Sequence, residues 1–238
     1  MRFTVNSIKD IAAPFLDLIY PPICFLCDGK LETAEEKICG TCWESFHSID
    51  SAHSVWRELD GKFSVEGVVS EFQSCYLFES EGTFQHAIHL LKYEGVKSLG
   101  VRLGREIGER ILQSPRMCKA DMVLPVPLHR SKERERGYNQ SSYICRGISD
   151  VTNIPAQENV LTRTRFTQSQ TKLNLEERKK NVEDAFSVSK NVEVLIQGKS
   201  IILIDDVITT GATINACARV LREGGAENVF AASAALAE

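Results

Sequence analysis

The chain has 238 residues and no apolar run approaching the roughly 20 residues of a membrane-crossing helix. Membrane insertion is therefore not expected. Positive charge is not in excess either: 28 Lys and Arg stand against 32 Asp and Glu, a net charge of -4. Binding a polyanion through bulk charge is excluded, and any contact with phosphates must be local. A secretory leader is not legible at the N-terminus. Asp10 and Asp17 interrupt its apolar stretch, and no small-residue cleavage site follows. Ile8, Ile11, Phe15, Leu18 and Ile19 fall at helical spacing instead, so a short amphipathic helix stopped by Pro21 and Pro22 is expected to dock on the body. It lacks the basic face of a membrane-surface helix. Internal repeats are absent. These features place the chain in a reducing cytoplasm, where disulfides are not expected.

What is present is ordinary for a globular protein, with 43% hydrophobic and 25% charged residues. Two parts are expected: a cysteine-bearing module over residues 1–60, and an α/β domain over 61–238. In the second part, extended and helical segments alternate. Residues 67–78 read as extended, and 84–112 as helix broken near Gly95. The stretch ADMVLPVPL is a strand ending in a proline-rich turn, and NQSSYICRGISD is helical. A strand in GKSIILIDD precedes a helix over about 212–223, which Gly224 and Gly225 stop. NVFAASAAL is a last strand. This order implies a mostly parallel sheet flanked by helices, with ligands bound at the carboxyl ends of its strands.

Four of the eight cysteines form two Cys-x2-Cys pairs, Cys24/Cys27 and Cys39/Cys42, eleven residues apart. Four thiolates complete a tetrahedral zinc shell with no open position, so a structural zinc and a zinc-ribbon-like module are expected. The alternative is a pair of redox motifs, which seldom lie so close together. His47 and His53 follow and are read as surface residues. Cys75, Cys118, Cys145 and Cys217 are scattered and read as small buried hydrophobes.

The stretch IILIDDVITTGAT, 201–213, carries the chemistry. Four apolar residues run into Asp205 and Asp206, which are expected at a solvent-facing strand end. The turn Thr209, Thr210, Gly211, Ala212 and Thr213 then enters a helix. Its N–H groups and hydroxyls form an anion cradle aided by the helix dipole, with no P-loop lysine. Gly211 is expected to let the backbone approach an oxyanion. The acids suit sugar hydroxyls or a hydrated Mg²⁺ rather than phosphate. The plain alternative is a capped helix that follows a strand with chance acids. A terminal phosphate, a ribose diol and a metal-bound diphosphate would satisfy every group. 5-Phosphoribosyl 1-diphosphate (PRPP) has all three, and the stretch resembles the PRPP signature of type I phosphoribosyltransferases.

Three further motifs narrow the resemblance. LKYEG at 91–95, PVPLHRSKERERGYNQ at 125–140 and LTRTRFTQSQTKLNLEERKKNVEDAF at 161–186 are similar to signatures of the ComF family of bacterial competence proteins. The four-cysteine module belongs to the same pattern. The resemblance implies a pyrophosphate loop over Val126–Lys132, followed by Arg136 to Tyr138. It also implies a basic segment around Arg163 and Arg165 that closes over PRPP, and it assigns Asp205 and Asp206 as catalytic acids. Residues 128–180 hold eleven Lys or Arg against six Asp or Glu. Positive charge there would stabilise a departing diphosphate. His129 is read as a phosphate contact or helix cap rather than a general base. His86 and His89 are read as structural.

Two functions compete. One is a PRPP-binding protein of natural transformation, handling single-stranded DNA together with DNA-uptake or recombination proteins. The other is an active phosphoribosyltransferase acting on an unidentified acceptor. Aromatics in the basic segments are limited to Tyr138, Tyr143 and Phe166. A glutamine-dependent amidotransferase is rejected, because neither a glutaminase domain nor an N-terminal cysteine nucleophile is present.

Overall fold

The computed structural model describes residues 21–33, 37–163, 185–189 and 192–238. The helix expected over 8–19, Arg165 and Phe166 lie outside the described residues. The chain forms two compact units, Met1–Phe46 and His47–Glu238. The division falls earlier than the boundary expected near residue 60. Helix α2 (Ser54–Glu66) explains the difference, because its Trp56, Leu59 and Phe63 belong to the core of the second unit.

In the first unit, an antiparallel bridge joins Ile23 and Lys30 around a tight turn. Cys24 N–H donates to Gly29 O at 2.7 Å, and Asp28 adopts φ 58°. The short helix α1 (Gly40–Glu44) starts at Cys39, whose sulfur accepts the N–H of Cys42. Among the described residues, Leu31, Ile38, Trp43 and Phe46 are the buried apolar side chains of this unit besides Cys24. A cluster of this size gains from a metal staple.

The second unit is built on a four-stranded parallel sheet of order β1-β6-β5-β2. Its strands are β1 (Phe72–Phe78), β2 (Met122–Pro125), β5 (Ser200–Ile208) and β6 (Asn228–Ala237). Strands β3 (Leu161–Arg163) and β4 (Phe186–Val188) form a separate antiparallel ribbon. Among the described residues, the other α-helices are α3 (Thr83–Tyr93), α4 (Lys97–Gln113), α5 (Arg130–Arg136), α6 (Gln140–Thr152), α7 (Glu193–Ile196) and α8 (Ala212–Glu223). Gly95, at φ +74°, makes the break between α3 and α4. Ile201, Leu203, Val229 and Ala231 face a core shared with α2 and α8. Strand alternation turns Ile202 and Ile204 to the other face. Among the described residues, no helix is long and apolar enough to cross a membrane.

Backbones approach closely in two places. The central strand β6 carries Ala231, Ala232, Ala234 and Ala235, all fully buried. Small side chains there let helices sit near the sheet. Helix α4 presents Gly100, Gly104 and Gly108 at four-residue intervals, and Gly147 on α6 answers them. A Cβ at Gly104 would lie 2.1 Å from the carbonyl oxygen of Ile144, and one at Gly147 would lie 2.0 Å from that of Val101. Backbone cannot move aside as a side chain can. Gly104→Ala should therefore cost at least about 3 kcal/mol by guanidinium denaturation. Gly61→Ala is the control, since a Cβ there meets nothing within 4 Å. It should gain up to about 1 kcal/mol. A Gly104→Ala protein as stable as wild type would contradict this packing.

Candidate ligand-binding and metal sites

The sulfurs of Cys24, Cys27, Cys39 and Cys42 all lie within 4.8 Å of one another. A tetrahedron with Zn–S bonds of about 2.3 Å has edges of about 3.8 Å. Cys27 and Cys39 sulfurs are 3.8 Å apart. The N–H groups of Leu26 and Cys39 donate to Cys24 sulfur, each at 3.4 Å, and the N–H of Cys42 donates to Cys39 sulfur at 3.4 Å. Such donors favour thiolates. The donor set fits a structural zinc and leaves no position for substrate. Elsewhere Cys75, Cys145 and Cys217 are buried, and burial raises their thiol pKa values, Cys75 to about 12. They act as small hydrophobes rather than reactive thiols.

In the second unit, strand β5 does not end on its acids. It continues through Asp205 and Asp206 to Ile208. Alternation turns the two carboxylates to opposite faces. Asp206 is only 4% exposed, so the expectation of a solvent-facing acid is corrected. Its Oδ2 lies 2.6 Å from Nζ of Lys92, and its Oδ1 accepts the N–H of Val207 at 2.9 Å. Asp205 accepts the N–H of Asp206 at 2.9 Å. Burial and the neighbouring carboxylate of Asp206 push the Asp205 carboxyl up to about 8, against partial relief from Lys92. Across neutral pH the folded chain thus holds a proton at Asp205 that the unfolded chain has released, and this contribution to stability falls as pH rises towards 8. Arg163, at the base of the β3–β4 ribbon, sits in the field of Asp205, with its guanidinium 5.1 Å from the ring centre of Phe186.

The turn after β5 leads into α8, a helix of 12 residues. Thr209, Thr210 and Ala212 are exposed and Thr213 is half-buried. The N–H of Ala212 donates weakly to Thr210 Oγ1 at 3.4 Å. Gly211 has φ +77°, which accounts for glycine on backbone grounds. Its missing side chain is not left open to a ligand, however. A Cβ there would lie 2.9 Å from Leu59 Cδ1 and from Phe63 Cε1. The close approach at Gly211 is therefore to α2.

The expected pyrophosphate loop begins at buried Val126. Its N–H donates to Ile204 O at 2.9 Å, and its carbonyl accepts Asn139 Nδ2 at 2.9 Å. Val126 is an anchor whose backbone groups are both engaged within the protein. His129 caps α5, with Nδ1 accepting the N–H of Ser131 at 3.2 Å. Arg136 donates to Gln140 Oε1 at 2.9 Å and stacks its guanidinium on Tyr93. Tyr138 donates its hydroxyl to Leu91 O. Residues 91–93 therefore touch both the loop helix and the acidic strand. Their periodicity reads as an ordinary helix end, so spacing alone did not mark Lys92 or Tyr93. A cavity of about 480 Å³ flanks the loop over 126–132, lined among others by His129, Asn139, Ser142, Glu158 and Arg163. It does not include the acid–threonine loop, which opens directly to solvent.

The comparisons with known proteins agree with this arrangement. Residues 15–53 match the double zinc ribbon domain, and 153–237 match the phosphoribosyl transferase domain. One four-cysteine cluster is present among the described residues. The second unit is thus a phosphoribosyltransferase-type domain, joined in one chain to a zinc ribbon. The chain is 36% identical over 210 residues to Competence protein F of Haemophilus influenzae, covering 87% of this chain and 82% of that protein. It belongs to the ComF family. Competence protein ComFC of Bacillus subtilis is 24% identical over 221 residues, covering 91% and 85%. DNA utilization protein YhgH of Shigella flexneri is 32% identical over 145 residues, covering 60% of this chain and 62% of that relative. Among solved structures, a glutamine PRPP amidotransferase from B. subtilis aligns at 21% identity and TM-score 0.38, covering 58% of this chain and 27% of that one.

Two measurements check the sites. Elemental analysis of natively purified protein should give one zinc per chain. Cys39→Ser should lose the metal and expose Trp43 to quencher, while the second unit still unfolds cooperatively. A zinc-free native protein would contradict the assignment. Lys92→Ala should destabilise the chain by about 3 kcal/mol at pH 7, because it strands a buried carboxylate. Adding Asp206→Asn should restore more than half of that loss in a double-mutant cycle. A single-variant cost under about 0.5 kcal/mol would place the pair in the class of exposed ion pairs.

Proposed function

We propose that this chain binds PRPP at the β5–α8 turn and serves natural transformation by handling single-stranded DNA. The observation that carries the reading is the exposed hydroxyl turn at the N-terminus of a 12-residue helix, directly beyond two carboxylates. Anions gain from such a terminus through unpaired N–H groups and the helix dipole. Thr209, Thr210 and Thr213 would take the 5-phosphate together with the backbone around Ala212. Asp205, protonated for much of the neutral range, would face the ribose hydroxyls. Asp206 is already balanced by Lys92. Mg²⁺ would therefore arrive with the diphosphate and reach the acids through its water shell, rather than bind them alone. Arg136, Arg163 and Arg165 would supply positive charge around the diphosphate.

The role in transformation is supported by the names of relatives, which are called competence proteins in H. influenzae and B. subtilis and DNA utilization proteins in S. flexneri. DNA phosphates would meet local positive charge. Helix α5 offers Arg130, Lys132, Arg134 and Arg136 against Glu133 and Glu135. Partners among DNA-uptake or recombination proteins and a cytoplasmic location fit the same reading. Transfer of the phosphoribosyl group to an acceptor is the competing reading. The cation at Arg163, close enough to sense Asp205, favours it, since departing diphosphate needs positive charge nearby.

Calorimetry with PRPP tests the proposal. Wild type should bind, and more tightly with Mg²⁺. The variant Thr209→Val/Thr210→Val should bind at least about tenfold more weakly, because each lost charged hydrogen bond is worth about 1.5–3 kcal/mol. Both threonines are exposed, so folding should be unaffected. Wild-type affinity in this variant would remove the PRPP assignment. Diphosphate release during incubation would favour the transferase reading.

A further inference from the structure

Stacking is what single-stranded DNA offers that a duplex does not: open base faces. The tyrosines of the basic segments are poorly placed to use it. Tyr138 is buried, with its hydroxyl on Leu91 O. Tyr143 is half-buried, with Arg146 at 4.4 Å and Lys97 at 5.3 Å from its ring centre. Tyr93 is different. It is 56% exposed, although a tyrosine ring gains by burial. Two partners hold the ring in this position. The guanidinium of Arg136 lies 5.2 Å from its centre, and the ring of His89 lies 4.9 Å away, tilted by 43°. A ring supported by a cation and left open to water is pre-organised for a planar partner.

Its place in the fold gives the partner's chemistry. The preceding residue, Lys92, reaches Asp206, so Tyr93 is the next position along α3 from the side chain that pairs with the acidic strand. Arg136, beneath the ring, closes α5, which carries four cations and two acids. A nucleotide would find a base-sized platform beside a phosphate-attracting helix. We propose that Tyr93, backed by Arg136, is a stacking platform for an unpaired base of single-stranded DNA. The inference rests on the DNA reading above and adds a site to it. It also separates two contributions: α5 attracts the backbone, and Tyr93 holds a base.

Fluorescence anisotropy of the full-length protein tests this with two labelled probes. One is a single-stranded oligothymidine of about 20 nucleotides, and the other is an abasic phosphodiester strand of the same length. Stacking on one aromatic is worth about 1–3 kcal/mol per base. Tyr93→Ala should therefore weaken oligothymidine binding by about 5- to 100-fold and leave the abasic strand's affinity unchanged. Tyr93→Phe should restore oligothymidine binding. Thermal melts should show both variants fully folded at the assay temperature. If Tyr93→Ala binds oligothymidine as wild type does, the platform is overturned while the DNA reading stands. Equal weakening of both probes would also overturn it, since the ring would then act through the phosphate path or the fold. If wild type binds neither probe, the DNA reading falls and the platform falls with it.

Discussion

A lysine amine held 2.6 Å from an almost buried carboxylate ties the end of α3 to the acidic strand of the second unit. Asp206 sits within a core strand, where a lone charge would be strongly disfavoured. Lys92 satisfies it from the end of α3. The residues on either side of Lys92 extend the tie, with Leu91 accepting the Tyr138 hydroxyl and Tyr93 stacking on Arg136. Three consecutive positions thus fix the acidic strand, helix α5 and the start of α6 relative to one another. Two of the motifs by which the sequence resembles the ComF family, 91–95 and 125–140, are in this way joined to the acidic strand in one assembly.

That assembly needs a stiff base, and small residues supply it. Alanines along β6 and the glycine contacts between α4 and α6 bring backbones together where no side chain can adjust. On the other face, α2 packs its aromatic residues against the sheet and against the space left by Gly211. The hydroxyl turn is therefore clamped on its inner side and free on its outer side. A site for an anionic sugar phosphate requires that combination, because donors held in place cost little to reorganise on binding. The zinc unit reaches rigidity by a different route, with four thiolates clustered to hold a metal beside a small group of buried side chains.

Much of this was legible in the sequence. The strand–helix order, the bounds of α8, the break at Gly95 and the parallel sheet all follow from periodicity and glycine placement. The zinc ligands follow from spacing. What escaped were consequences of contacts distant along the chain. Asp206 looks like an exposed acid until Lys92 is brought to it, and Gly211 looks like a ligand-facing glycine until Leu59 and Phe63 fill the space beside it. Helix α5 reads as a charged loop because it buries no residue, so no apolar period marks it. Tyr93 lies in the LKYEG motif but outside every basic segment, and its contact with Arg136 is visible only in the fold.

The central claim is that the turn over Thr209–Thr213 is the PRPP site and that residues 91–93 border it. Hydrogen–deuterium exchange on the intact chain, with and without PRPP and Mg²⁺, tests it directly. The account predicts slower exchange at amides 209–213 and 91–95 when PRPP is added, with no change in the zinc unit. An unchanged 209–213 segment, or protection confined to residues 21–46, would contradict it.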